Sequence, residues 1–334
     1  MEELLKSIKD DVIRETIEED FELLICKTCG TQYPVRESNE LDLENVCQPC
    51  LDPRQYVPEQ GQQWTKASNW LLSSPSNQFE CELKQEKNDS RLYRIITKNT
   101  TIGIGETPFV ILTKDGIVIW DCCALYTAEM FESIKRLCNE HQLSIVGIAI
   151  SHPHFYTSSL TWAKALQTKI YISHLDKEWF QRKDEGLAKD KVVFFESDTL
   201  VLLPGITIVR CGGHFDGSCV LHWDRQKAGT PTKIIQQQKH KLPSTGVVFC
   251  SDTFGPGMDR KTITFMWSYP NMIPLPPKDV LQIWHSMQPF QFDEIIGAWP
   301  GKYVQTEARA HLLKSAKLFV KMEGYDTNKF DWKE

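Results

Sequence analysis

Hydrophobic residues recur with two different periods along this chain. In residues 3–24, and again after Thr127, they fall at helical spacing between charged residues, which predicts amphipathic helices. The first of these helices is expected to pack on its own protein, and binding of a partner is the alternative. Further helices are predicted around 160–166, 278–287 and 307–322.

Short β-branched runs bounded by turn residues predict strands. The runs 108–114 and 117–120 meet at Asp115-Gly116, a pair typical of a hairpin turn. Eight more runs have strand composition: 145–150, 170–173, 192–195, 200–203, 206–210, 219–223, 247–250 and 295–299. Strands punctuated by helices predict sheets covered by helices, a layered α/β (α+β) fold. The polar run 225–245 is predicted to be an exposed loop.

These patterns divide the chain into five segments. We predict an N-terminal amphipathic helix in 1–25, a cysteine-containing segment in 26–58, a connecting segment in 59–89, a large layered domain in 90–322 and a C-terminal tail in 323–334. The connecting segment is polar and rich in Gln, Ser and Pro, which is typical of a loop.

Composition restricts the class of protein and of partner. The 334 residues are 41% hydrophobic and 25% charged, as in ordinary globular proteins. The net charge of -6 and the thin spread of Lys227, Lys233, Lys239 and Lys241 in the polar run argue against nucleic acid as a partner. Apolar runs stop well short of the ~20 residues that a membrane span needs, so no membrane partner is expected.

The cysteines and the N-terminus bear on the compartment. The first 24 residues carry neither the basic nor the apolar part of a signal peptide. Eleven cysteines without such a signal are typical of a reducing compartment, where thiols bind metal or pack in the core. A cytoplasmic protein is therefore expected, and a nuclear location fits the same observations.

Four of these cysteines form two C-x-x-C pairs. Cys26 and Cys29 are followed, after 17 intervening residues, by Cys47 and Cys50, and such a spacing lets four thiolates bind one tetrahedral zinc, as in a zinc ribbon. The alternatives are a redox pair or two disulfides. Because four protein ligands leave zinc no open position, the predicted role is structural.

Histidine and aspartate follow three of the predicted strands directly. His152 and His154 come after the strand 145–150, His214 comes after Gly212-Gly213, and Asp252 comes after the strand 247–250. A His-x-His pair in an extended segment places both rings on one side. Imidazole and carboxylate bind zinc or non-haem iron, so these four residues are predicted to hold a second metal ion, with ordinary histidines as the alternative.

This arrangement resembles the metallo-β-lactamase-fold superfamily over roughly residues 90–320. The resemblance rests on Trp120-Asp121 at a strand end, the stretches SHPHFY, GGHFDGSCVLHW and SYPN, and the aspartate that ends a strand. It implies an αββα sandwich with a metal site along one edge. It also implies that His152, His154 and His214 bind the first metal and that Asp252 is the bridging or shared carboxylate.

The chain departs from the pattern of this superfamily at three positions. Tyr156 and Thr157 stand where the loop has Asp and His, and Trp299 stands where a last His is expected. All three lost groups belong to the second metal or to the attacking water, so one metal rather than two is expected at this site. Asp176 could replace a missing carboxylate, although the start of a helix at that residue is the preferred interpretation.

Three functions are compatible with these residues. The first is a metal-dependent hydrolase for an ester, thioester, lactone or amide of a small organic molecule, in which Asp252 orients or deprotonates water and Tyr156 donates to the oxyanion. Aromatic residues near the ligands, among them Tyr269, Trp267 and Trp299, would partly wall an apolar substrate pocket. The second is an inactive binding or scaffold protein that contacts a protein partner through its N-terminal segment. The third is a thiol dioxygenase with a single iron.

Overall fold

Short elements build the N-terminal quarter of the chain. The computed structural model describes residues 2–41, 45–72, 80–98, 102–184, 186–237 and 240–332. The first helices are α1 (Glu2–Ser7), α2 (Asp11–Asp20), α3 (Gln48–Leu51) and α4 (Ser68–Leu71), and the two-residue strands β1 (Ile25–Cys26) and β2 (Trp64–Thr65) pair antiparallel.

Seven strands form the first large sheet in chain order. They are β3 (Glu80–Glu86), β4 (Asp89–Lys98), β5 (Phe109–Thr113), β6 (Gly116–Trp120), β7 (Ile145–Ala149), β8 (Ile170–Ser173) and β9 (Val192–Phe195). The pairs are antiparallel up to β6 and parallel from β6 to β9. The parallel crossovers carry α5 (Ala128–His141), α6 (Ser159–Ala165) and α7 (Leu187–Lys191).

Six strands form the second large sheet. They are β10 (Thr199–Leu203), β11 (Ile206–Arg210), β12 (Cys219–Trp223), β13 (Val247–Phe249), β18 (Glu294–Ile296) and β19 (Tyr303–Val304), paired in that order. Between β12 and β13 lie α8 (Arg225–Ala228) and α9 (Thr232–Gln237). Between β13 and β18 lie β14 (Gly255–Pro256), β15 (Ile263–Thr264), β16 (Met266–Ser268), β17 (Ile273–Pro274) and α10 (Pro277–Met287), and α11 (Ala308–Met322) follows β19.

Alternation of side chains along the strands produces four layers. Phe109, Val118 and Trp120 of the first sheet meet Leu221 and Phe249 of the second in one buried cluster. The alternate residues of the first sheet face α2, α5 and α6, and those of the second sheet face α10 and α11. Each sheet thus buries both faces. The predicted layered α/β class and its αββα order are confirmed.

The N-terminal region forms two helices where the hydrophobic pattern predicted one. Asp10 ends the continuity, because its carboxylate caps α2 by accepting from the backbone N–H of Ile13 at 3.0 Å. At the other end of α2, buried Asp20 accepts from Thr161 and Lys164 of α6 at 2.6 and 2.9 Å. The second helix is thereby fixed to the large domain.

The run 225–245 is not the exposed loop that its polarity predicted. It forms α8 and α9 and buries Arg225, Ala228 and Ile234. Arg225 lies 3.0 Å from Asp89 and 2.7 Å from Glu294, so its charge is paired rather than solvated. Lys239 lies outside the described residues.

The β3–β4 hairpin is an element that the hydrophobic pattern does not predict. Strand β3 has charged residues at every second position, and it begins at Glu80 inside the stretch predicted as a connecting segment. Residues 73–79 of that stretch lie outside the described residues. Of the helices described, none is both long and apolar enough to cross a membrane.

A buried carboxyl in the β4–β5 loop gives a testable pH dependence. Burial raises the pKa of Glu106 to about 8, and its Oε1 has no hydrogen-bond partner among the described residues. The folded state therefore keeps a proton that the unfolded state has lost above its ordinary pKa near 4.5. This contribution to stability falls as pH rises from about 5 to about 8, by about 1.4 kcal/mol per pH unit.

We expect Glu106→Gln to remove this loss, since an amide does not ionise. Urea unfolding at pH 6 and pH 8, in zinc-containing buffer, should show a smaller difference between the two pH values for the variant than for the wild type. Exposed Glu196 provides the matched control, Glu196→Gln, which should behave as the wild type. Equal pH dependence in all three proteins would contradict the neutral state of Glu106.

Candidate metal centres

The two C-x-x-C pairs converge on one buried point, named here the four-cysteine centre (Cys26, Cys29, Cys47 and Cys50). One sulfur of each residue lies within 4.8 Å of the others, and Sγ–Sγ distances of 3.5 Å (Cys29–Cys47) and 3.6 Å (Cys26–Cys50) join the two pairs. A tetrahedral zinc with ligands at about 2.3 Å separates its sulfurs by about 3.8 Å. The donor set therefore fits zinc, whereas a disulfide needs sulfurs at about 2.0 Å.

Neighbouring donors support thiolates in this centre. The Tyr33 hydroxyl lies 3.3 Å from Cys47 Sγ, and the Gln62 amide donates to Cys26 Sγ at 3.2 Å. Burial raises the pKa of the Cys47 thiol well above its usual range, so this buried thiol would lose its proton only with a cation beside it. The hydrogen-bond donors next to the sulfurs fit thiolates bound to a metal.

The four residues predicted for the second site also meet. They form the His/Asp centre (His152, His154, His214 and Asp252), whose ligand atoms lie within 4.8 Å of one another. Oδ2 of Asp252 is 3.4 Å from His152 Nε2 and 3.9 Å from His214 Nε2. His214 Nε2 is 3.2 Å from His154 Nδ1. All four residues are at most 3% exposed.

Strand direction explains why these distant residues meet. Strands β11 and β13 both run antiparallel to β12, so their carboxyl ends lie at the same edge of the second sheet. His214 and Asp252 follow these ends, and His152 follows β7 of the facing sheet. Gly212 and Gly213 both have positive φ, a conformation that glycine adopts without strain and that lets the loop turn sharply before His214.

Hydrogen bonds to the far side of the rings orient the histidines. Nδ1 of His214 donates to the carbonyl of Met266 at 3.1 Å, which leaves Nε2 as the nitrogen with a free lone pair. Nδ1 of His152 lies 2.9 Å from the Ser151 hydroxyl, and its Nε2 is buried with no hydrogen-bond partner among the described residues. Such contacts are typical of histidines that bind metal.

A further carboxylate braces the loops behind these ligands. Asp121, which has a left-handed φ of 61°, accepts from the Ser151 backbone N–H at 2.8 Å and from the Ser251 hydroxyl. Ser151 precedes His152 and Ser251 precedes Asp252. One side chain thus holds a loop of each sheet.

The electrostatics suit neutral ligands. Burial, helped by the positive charge of Arg54, lowers the pKa of His152 to about 3, and burial also lowers the pKa of His214 to about 3. The contact of His152 with Asp252 is therefore not an ion pair at neutral pH. Neutral imidazoles facing a buried carboxylate are the form that binds a divalent cation.

The three positions at which the chain departs from the superfamily pattern are not among the ligand atoms of the His/Asp centre. The Tyr156 hydroxyl donates to the carbonyl of Asp176 at 3.2 Å, the Thr157 carbonyl accepts from the Gln32 backbone N–H at 3.1 Å, and Trp299 Nε1 donates to the Ile104 carbonyl at 3.0 Å. Asp176 itself accepts from the Gly217 backbone N–H at 2.9 Å. These side chains support loops around the centre rather than facing it.

Two polar groups lie near the His/Asp centre that the sequence pattern does not single out, the guanidinium of Arg54 and the hydroxyl of Tyr269. Arg54 lies in the cysteine-containing segment and reaches the His214 carbonyl at 3.0 Å. The Tyr269 ring is 5.9 Å from the His214 ring, and its hydroxyl is buried without a hydrogen-bond partner among the described residues. The sequence predicts Tyr269 only as one of the pocket aromatics. A single arginine in a polar stretch, such as Arg54, gives no sequence signal of a binding residue.

We expect two metal ions per chain, one in each centre. Elemental mass spectrometry of tag-free protein should give a ratio near two for the wild type and near one for His154→Gln, since the replacement removes an imidazole only from the His/Asp centre. His311→Gln, a change on α11, is the matched control and should retain two. A wild-type ratio near one would contradict a metal at the His/Asp centre.

Comparison with known proteins gave several similar solved structures and a curated relative. No family model matches the chain. Among solved structures, the chain is similar to TMB-1 (TM-score 0.48, 12% identity, 73% of this chain and 99% of that one), VMB-1 (0.47, 14%, 73% and 100%) and the DIM-1 metallo-beta-lactamase (0.46, 12%, 72% and 98%).

The relative is "Uncharacterized protein YmaE" of Bacillus subtilis (strain 168). It is 33% identical over 297 residues, which cover 89% of this chain and 95% of the relative. The match therefore includes parts of both the N-terminal region and the layered domain. At this identity and coverage, the chain belongs to the same protein family as YmaE.

Proposed function

We propose that the protein is a metal-dependent hydrolase acting on an ester, thioester, lactone or amide of a small organic molecule. The proposal is supported by the convergence of three neutral imidazoles and one carboxylate on one buried point. His152, His154, His214 and Asp252 would hold one divalent cation. When bound, such a cation polarises a carbonyl oxygen and lowers the pKa of water.

Asp252 has the geometry of a group with two tasks. Its Oδ2 faces the imidazoles of His152 and His214, while its Oδ1 is buried and has no hydrogen-bond partner among the described residues. Oδ2 would therefore bind the cation and Oδ1 would accept the proton of the attacking water. The same oxygen can then return the proton to the leaving group.

Tyr269 is better placed than Tyr156 to stabilise the oxyanion. The Tyr156 hydroxyl already donates to the Asp176 carbonyl. The Tyr269 hydroxyl, with the Thr264 side chain near it, has no partner at hydrogen-bond geometry among the described residues, and its ring lies beside His214. Burial, together with the charge of Asp252, raises the pKa of Tyr269 well above its usual range. The phenol therefore keeps its proton and can donate a hydrogen bond to a developing negative oxygen.

The identity of the second metal separates hydrolysis from the thiol dioxygenase alternative. Zinc has no redox chemistry and suits hydrolysis, whereas iron with three histidines and a carboxylate suits oxygen chemistry. Zinc at both centres would support the hydrolase proposal. Iron at the His/Asp centre together with oxygen uptake on thiol substrates would replace it.

We expect His214→Ala to abolish hydrolysis while the four-cysteine centre keeps its metal. The change removes one ligand of the cation and also the hydrogen bond that joins the loop to Met266. Turnover of p-nitrophenyl esters and acyl thioesters, measured beside metal content, should fall by roughly 1000-fold or more, as expected when the metal is lost. The control His311→Ala should retain full turnover, and unchanged turnover in His214→Ala would refute the proposal.

A pair of tyrosine variants tests the assignment of the oxyanion donor. Tyr269→Phe should lower kcat by roughly 100-fold without changing the melting temperature much, because its hydroxyl has no other partner among the described residues. Tyr156→Phe should instead destabilise the fold by about 1 kcal/mol and retain kcat, since it removes a buried hydrogen bond to Asp176. The reverse result in kinetics and thermal unfolding would return the role to Tyr156.

A further inference from the structure

We propose that the segment carrying the four-cysteine centre completes the substrate site, and that Arg54 binds an anionic group of the substrate beside the His/Asp centre. The inference rests on the proposed function and narrows its substrate class to acyl compounds that carry a carboxylate. It is supported by three features of Arg54: the contacts that hold its side chain, the position of its guanidinium, and the N–H groups that no protein acceptor uses.

Arg54 is held rigidly at the end of the cysteine-containing segment. It follows the ligand Cys50 by four positions. Its Nε and one terminal nitrogen donate to the two oxygens of Asp52 at 2.7 and 2.8 Å. Its backbone carbonyl accepts from the Ser268 hydroxyl at 3.0 Å, and the carbonyl of Pro53 accepts from Asn271 at 2.9 Å. The segment is thereby docked on the β16–β17 hairpin, which also supplies the acceptor for His214.

The guanidinium group lies over the ring of Phe215, which in turn contacts the imidazole rings of the His/Asp centre. Its central carbon is 3.7 Å from the centre of the Phe215 ring, and the centres of the Trp179 and Trp267 rings are 5.6 and 5.3 Å away. The same Phe215 ring lies 4.9 Å from the His154 ring and 5.2 Å from the His214 ring. The Phe215 ring thus contacts both the guanidinium of Arg54 and the imidazole rings of His154 and His214.

The donors of Arg54 are only partly used by the protein. A guanidinium has five N–H groups, of which three donate to Asp52 and the His214 carbonyl. The side chain is 14% exposed, so the remaining N–H groups can meet a ligand at the rim of the centre. Planar bidentate recognition of carboxylates is what a fixed guanidinium does best.

Packing alone does not account for an arginine at this position. Placing a cation next to a site that would hold a second cation raises the electrostatic energy, and an apolar side chain would fill the slot between Phe215, Trp179 and Trp267 without this cost. Asp52 offsets part of the charge, and an anionic substrate would offset the rest. A carboxylate on Arg54 with the acyl carbonyl at the His/Asp centre would give two-point binding.

The test compares two probes of equal chain length, mono-p-nitrophenyl glutarate and p-nitrophenyl valerate, which differ by one carboxylate. The zinc-loaded full chain should hydrolyse the glutarate ester with a KM roughly 10-fold lower or better, the value of one charge-assisted contact. Arg54→Gln should bring the ratio of the two KM values close to one while the metal content stays near two per chain, and Arg54→Lys should retain part of the preference. Arg136→Gln, an exposed change on α5, is the matched control and should behave as the wild type.

A titration separates failure of this inference from failure of the proposed function. If neither ester is hydrolysed, calorimetry with the same two esters still applies, and the glutarate ester should bind roughly 10-fold more tightly than the valerate ester to the wild type but not to Arg54→Gln. Equal binding of the two esters by the wild type would overturn the role of Arg54. An equal loss for both probes in Arg54→Gln, or loss of its second metal, would likewise overturn it and leave Arg54 as a packing residue.

Discussion

A single buried carboxylate joins the two sheets at the edge where the candidate ligands lie. Asp121 accepts from Ser151 in the loop after β7 and from Ser251 in the loop after β13, and each serine precedes a residue of the His/Asp centre. Burial raises the pKa of Asp121 to about 7, which reflects the cost of placing this group in the core. The hydrogen bonds from Ser151 and Ser251 offset the cost of burying Asp121, and the positions of the neighbouring ligands depend on these two bonds.

The strands and helices of the layered domain could be predicted because burial leaves its mark on composition. Strands such as β5 and β6 are apolar at nearly every position since both faces are covered, and the helix predicted after Thr127 forms as α5. The β3–β4 hairpin is not predicted, because the predictions rest on runs of β-branched residues, and β3, at the sheet edge, has none and carries four charged residues among seven. Asp10, which separates α1 from α2, acts through one local cap that hydrophobic spacing does not reveal.

The candidate metal ligands could also be predicted, whereas their surroundings could not. Histidine and cysteine are scarce residues with few uses, so their position after strands or in C-x-x-C pairs is informative. Arg54 and Asp52 belong to common residue types, and only the fold brings them close to the His/Asp centre, whereas Tyr269 is predicted there only as one of several pocket aromatics. At two positions where the chain departs from the predicted pattern, the contacts are structural: the Thr157 backbone carbonyl accepts from Gln32, and the Trp299 indole donates to the Ile104 carbonyl.

The docking of the cysteine-containing segment bears on how this protein family can change over evolution. A zinc-binding loop that folds around its own metal is ordinarily a module that can be gained, lost or exchanged between proteins. Here residues 53 and 54, which follow Cys50 closely, are bound to the β16–β17 hairpin, and Arg54 also contacts the His214 carbonyl and the Phe215 ring. A new ligand preference at the centre would therefore arise most readily by substitution near residues 52–54. Because these residues bind the β16–β17 hairpin, both segments would have to change together.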